Sequence, residues 1–83
     1  MSIEDYRKKI DSIDNQIIKL LNERAIFAQK IGDIKKEKNL PIYVPEREKL
    51  IFKKIEETNP GNMPTSVVKY IFNEIISCSR SLE

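Results

Sequence analysis

The chain has 83 residues, with 15 Lys and Arg against 13 Asp and Glu, 40% apolar residues, a single Cys and no His or Trp. That is one small domain. Ser-His-Asp or Cys-His catalysis and His-ligated metal are excluded by composition, and one Cys leaves no internal disulfide and no Cys-rich zinc or iron–sulfur site. No stretch approaches the roughly 18 apolar residues of a membrane span and no signal-peptide pattern opens the chain, so the cytoplasm is the default compartment.

In chain order, the first 38 residues contain no Pro and one Gly. Ile3, Tyr6, Ile10, Ile13, Ile17, Leu20, Arg24, Phe27, Ile31, Ile34 and Lys38 follow one another at steps of three and four. That seam predicts one long helix over about 3–38 that packs against other helices, with Ile18, Leu21 and Ala28 widening the stripe. Ser2 followed by Asp5 has the form of a capping box at its start, and Asn39-Leu40-Pro41 ends it. Gly32 weakens it locally, by roughly 1 kcal/mol relative to Ala.

The stretch from Pro41 to Pro45 reads as a short extended loop. Pro45 suits the first position of a second helix over about 45–58, with Glu46 and Glu48 at its positive end and Leu50, Ile51, Phe52 and Ile55 as its apolar residues. Asn59-Pro60-Gly61-Asn62 is a turn. A third helix, over about 65–82, carries Val68, Ile71, Phe72, Ile75, Ile76, Ser79 and Leu82 in one stripe, and Cys78 reads as a small core residue. No strand-type alternation, repeat or low-complexity tract occurs. The class is all-α, with one long and two short helices in a single domain, 1–83.

Length then forces a second inference. A helix of 36 residues is roughly 54 Å long, whereas a compact monomer of this size has a radius of gyration of about 12 Å. The apolar seam of the first helix would stand in water, so the expected state is an intertwined antiparallel homodimer.

The net charge of +2 does not suggest nucleic acid. Its Lys residues are interleaved with acids, as in Lys35-Lys36-Glu37-Lys38, and read as solvated helical surface. Arg24 differs, because it interrupts the apolar seam. Either it snorkels or pairs with Glu23 or Glu48, or it faces a dry pocket and clamps an anion through its guanidinium fork. Lys35 lies three turns along the same face. Arg7 is roughly 25 Å from Arg24 along the axis, out of reach within one chain, yet an antiparallel partner would bring its own Arg7 toward Arg24. Arg47 stands in the first turn of the second helix, where free N–H groups also favour an anion. Ser79 and Glu83 share a face of the third helix. A small all-α chain that directs Arg and Lys toward helix interfaces, without His or metal ligands, suits a small dianion and chemistry that moves no proton.

These residues carry a resemblance. Arg7-Lys8-Lys9-Ile10-Asp11-Ser12-Ile13-Asp14, Leu20-Leu21-Asn22-Glu23-Arg24, Ile31-Gly32-Asp33-Ile34-Lys35, Pro41-Ile42-Tyr43-Val44-Pro45-Glu46-Arg47-Glu48 and Ile71-Phe72-Asn73-Glu74-Ile75-Ile76-Ser77, in this order and spacing, resemble the all-helical (AroQ-class) chorismate mutases over essentially the whole chain. Within that class the closest likeness is to the mutase domain that opens bifunctional chorismate mutase–prephenate dehydratases, so a dehydratase domain in a longer parent is one expectation.

The resemblance implies conversion of chorismate to prephenate in aromatic amino acid biosynthesis, with no cofactor, no metal and no membrane or nucleic-acid partner. It implies two sites per homodimer, each completed by the partner's Arg7. Arg7 and Arg24 would hold substrate carboxylates, with Arg47 and Ser79 in support. Lys35 and Glu83 would face the ether oxygen, with Lys35 also on a carboxylate. Glu48 would accept from the ring hydroxyl. Val44 stands where many relatives have Asp and would offer only its backbone N–H; Glu83 stands where many have Gln. Lys35, Glu83 and Arg24 are the expected catalytic residues. An isochorismate–pyruvate lyase on the same fold and a non-catalytic helical dimerisation or regulatory domain are the alternatives.

Overall fold

The computed structural model describes all 83 residues as three α-helices, α1 (Ile3–Lys38), α2 (Pro45–Thr58) and α3 (Thr65–Leu82), with no strand. Local chemistry sets where α1 begins and ends. The Ser2 hydroxyl accepts from the Asp5 amide while the Asp5 carboxylate accepts from the Ser2 amide at 2.9 Å, a closed capping box. These bonds hold the Asp5 carboxyl below its ordinary value, the Ser2 backbone amide contributing most, because a hydrogen-bonded carboxylate resists protonation. At the other end Asn39 takes a left-handed conformation, φ 55°, and its N–H donates back to the carbonyls of Lys35 and Lys36. Asn tolerates that region better than other non-glycine residues.

Pro45 occupies the first turn of α2, where its missing N–H costs nothing. The α2–α3 turn is fixed by Asn59, whose side-chain amide donates to the Met63 carbonyl and the Thr65 hydroxyl at 2.9 and 3.0 Å. Gly61 supplies the positive φ of 99° that the turn requires. Lys69 of α3 pairs with Glu56 of α2, and its ammonium draws the Glu56 carboxyl below the ordinary range.

α3 is the common partner. It packs on both α1 and α2, while α1 and α2 do not pack on each other and leave a wedge between them. The buried residues of α1 are Ala28 and Gly32, both in its C-terminal half, with Ile55 from α2 and Ile76 from α3. Gly32 is a matter of space: a Cβ there would lie 2.6 Å from the Glu83 Cα and 2.9 Å from its carbonyl oxygen. The missing side chain lets the end of α3 settle onto α1.

The N-terminal half of α1 finds nothing to pack on. Ile10, Ile13, Ile17 and Leu20 are each about half exposed or more, and only four of the 83 residues are buried. The radius of gyration is 15.9 Å and the long axis 55 Å. The accessible surface is 6967 Å², whereas a compact monomer of this mass exposes about 5,100 Å². The excess, on one chain, is about twice what one partner buries in a standard protein interface, about 800 Å². Cys78 corrects the expectation drawn from its composition: it is exposed on α3, turned away from the face that buries Ile76. No helix is long and apolar enough to cross a membrane.

Candidate active site

The wedge between α1 and α2, floored by α3, is a cavity of about 490 Å³, a size that suits a small ligand. Arg24, Lys35, Val44, Arg47, Glu48, Ser79 and Glu83 all line it, from all three helices and the loop after α1. Arg80 lines it as well. The charged lining is four cations against two carboxylates, a formal balance of +2. Phe27, Ala28, Ile31, Ile42, Ile51 and Ile76 supply apolar walls, and walls of low dielectric focus the field of those charges.

Arg24 has neither Glu23 nor Glu48 as its partner. One guanidinium nitrogen donates to the Ser79 hydroxyl, 55 residues away in the chain. Ser79 in turn donates to the Ile75 carbonyl at 3.0 Å. The hydroxyl proton is thereby committed to its own helix, which leaves its lone pairs to receive Arg24. A neutral partner leaves the Arg24 charge uncompensated, so it remains available to an anion.

Lys35 projects from the last turns of α1 and donates twice, to the Ile42 carbonyl and to a Glu83 carboxylate oxygen, each at 2.8 Å. Glu83 is held by the end of α3, its N–H donating to the carbonyls of Ser79 and Arg80. The two side chains are only 15% and 10% exposed, the most enclosed ion pair in the molecule. An ammonium has three protons, so one donor remains to be aimed into the cavity.

Arg47 is exposed and has no ion-pair partner within the chain. With Arg24 it also lines a neighbouring cavity of about 430 Å³ between α2 and α3. The Val44 carbonyl accepts from Arg47 and Glu48, opening α2, while its own N–H has no backbone acceptor. The Glu48 carboxylate lies 3.5 Å from Arg80. Arg7 is the one expected residue that lies outside the cavity. It pairs with Glu4 on the exposed start of α1, at 2.9 Å.

Residues 6–83 match the chorismate mutase type II family. The chain belongs to that family. It is 49% identical to a bifunctional chorismate mutase/prephenate dehydratase of Aquifex aeolicus, over 98% of this chain and 24% of that protein. It is 37% identical to a chorismate mutase of Methanocaldococcus jannaschii over 98% of this chain and 83% of that protein. Among solved structures, a chorismate mutase from Thermus thermophilus superposes with a TM-score of 0.93 at 35% identity, covering 96% of this chain and 91% of that one. The chain thus spans about a quarter of the bifunctional relative and most of the archaeal mutase.

Arg80 is the cavity residue that the sequence reading left out of the site. Near the end of a helix a basic residue usually answers the helix dipole in solvent. Its spacing of four from Ile76, the most buried side chain of α3, was the available signal that it shares the inward face.

Proposed function

We propose that the protein is a chorismate mutase that converts chorismate to prephenate in aromatic amino acid biosynthesis, in the cytoplasm, as an intertwined antiparallel homodimer. The observation that carries the reading is the enclosed Lys35 ammonium, fixed from two sides in the cavity that Arg24 also lines, with a formal balance of +2, in a chain of this family. Prephenate is also the substrate named in the second activity of the bifunctional relatives.

The reaction is a unimolecular [3,3] rearrangement. A C–O bond breaks, a C–C bond forms, and no proton is transferred, so the protein has two tasks. The first is to fold a flexible dianion into the reactive chair, which is a matter of orientation. Arg24, with Ser79 beside it, takes one carboxylate; the partner's Arg7 takes the other; Arg47 supports them. Glu48 accepts from the ring hydroxyl, and the free Val44 N–H donates to it. The second task is to stabilise negative charge that builds on the ether oxygen as the C–O bond breaks. Lys35 donates there, and Glu83, which lies against it, is a second donor only in its protonated form. A donor fixed in advance acts more strongly on the transition state than on the substrate.

The dimer has its own support. The exposed Ile10, Ile13, Ile17 and Leu20 stripe is covered when a second copy lies antiparallel along it, and that arrangement carries Arg7 toward the partner's cavity. Incubation with chorismate and, separately, isochorismate tests the reading. Prephenate from chorismate is expected. No consumption of chorismate, or pyruvate and salicylate from isochorismate as the main products, would overturn it.

A further inference from the structure

One residue of the cavity has no part in the chemistry just described, and it touches three segments at once. Arg80 projects from α3 with one guanidinium nitrogen 3.5 Å from a Glu48 carboxylate oxygen on α2. Its guanidinium carbon stands 5.2 Å from the centre of the Tyr43 ring, in the loop between α1 and α2. Its other terminal nitrogen donates to the Ser77 hydroxyl at 3.3 Å, within α3. The Arg80 side chain is 36% exposed and that of Glu48 18% exposed, so the pair sits at the mouth of the cavity.

Two consequences follow from charge and geometry. An unpaired Glu48 carboxylate would repel a dianion entering the same cavity. Arg80 cancels that repulsion without occupying all the acceptor sites of Glu48, since a carboxylate has about four and 3.5 Å is an ion pair rather than a tight hydrogen bond. Glu48 stays able to accept from a substrate hydroxyl. The loop carrying Tyr43 and Val44 is also held from both sides, by Lys35 on the Ile42 carbonyl and by Arg80 on the face of Tyr43. A guanidinium does both jobs because it is planar, permanently charged and stacks on aromatic rings.

We propose that Arg80 is a positioning residue of this site: it neutralises and aims Glu48 and holds the Tyr43–Val44 loop against the cavity, and so governs substrate affinity rather than the rearrangement itself. This rests on the chorismate mutase reading. Lys35 and Arg24 do not depend on Arg80, so the chemical step is left in place when it is removed.

The test is steady-state kinetics with chorismate on the full chain for wild type, Arg80→Ala, Arg80→Lys, Glu48→Gln and the double variant Arg80→Ala/Glu48→Gln, with thermal melts and sedimentation on each. Arg80→Ala is expected to raise KM about tenfold, as loss of a charge-assisted contact does, with kcat within about threefold. Arg80→Lys restores the charge but not the planar stack, and should recover part of the loss. In the Glu48→Gln background the same Arg80→Ala change should cost clearly less, because the charge to be neutralised is gone. An unchanged KM, a loss confined to kcat, or an equal penalty in both backgrounds would overturn the inference. If wild type itself fails to convert chorismate, the functional reading falls instead, so the two failures are distinguishable.

Discussion

The Lys35 ammonium and the Glu83 carboxylate stand 2.8 Å apart with side chains 15% and 10% exposed. The residue proposed to stabilise the transition state is therefore already neutralised in the free protein. A dianion brought beside Lys35 meets the Glu83 charge as well. Glu83→Gln removes that charge and puts an amide donor in its place. Its kcat/KM on chorismate should therefore exceed that of wild type. An unchanged or lower value would reject the role given to Glu83.

Lys35→Ala removes the donor proposed to face the ether oxygen. Loss of one such donor typically costs about 10²–10³ in kcat, and a decline of that size is expected while sedimentation shows the same assembly as wild type. Retention of most activity would reject the site.

Gly32→Ala separates packing from propensity. In an exposed helix the change would stabilise by about 1 kcal/mol. Here the new Cβ would lie 2.6 Å from the Glu83 Cα, and backbone cannot yield as a side-chain tip can. The end of α3 must shift, and Glu83 with it. If Glu83 has the role proposed for it, a displacement of about 1 Å can cost about 10²-fold, so activity should drop far more than the melting temperature does. Unchanged kcat would show that the close approach does not matter to the site.

The capping box predicts a pH-dependent term in stability. Asp5 titrates below its ordinary value in the folded chain because it accepts from Ser2. A depressed carboxyl contributes stability that is fully present above its unfolded value and is lost as pH falls through its folded value. Asp5→Asn should therefore lower the melting temperature at neutral pH, and the gap to wild type should close in strong acid. A gap that is constant with pH would contradict the assignment.

Much of the fold is legible in the sequence because its determinants are local. Steps of three and four, the Ser2–Asp5 cap, Asn39, Pro45 and the Asn59–Asn62 turn each act within a few residues, and three helices without a strand follow from them. The residues around the cavity are less legible, since their partners are set by packing. Arg24 invited an acid nearby and received Ser79 from the far end of the chain. Arg80 carries no such local mark, and its place in the cavity depends on α2 and the preceding loop folding around it. Cys78 reads as core on residue type alone, but its position on α3 faces outward.

The central claim is a site shared between two copies, with Arg7 from one and Lys35 from the other. Subunit mixing tests it most directly. Arg7→Ala and Lys35→Ala homodimers should each be nearly inactive on chorismate. Mixed dimers contain one site with both residues intact, so a statistical mixture should regain about a quarter of wild-type activity. Full activity of the Arg7→Ala protein alone, or no recovery although mixed dimers have formed, would contradict the account.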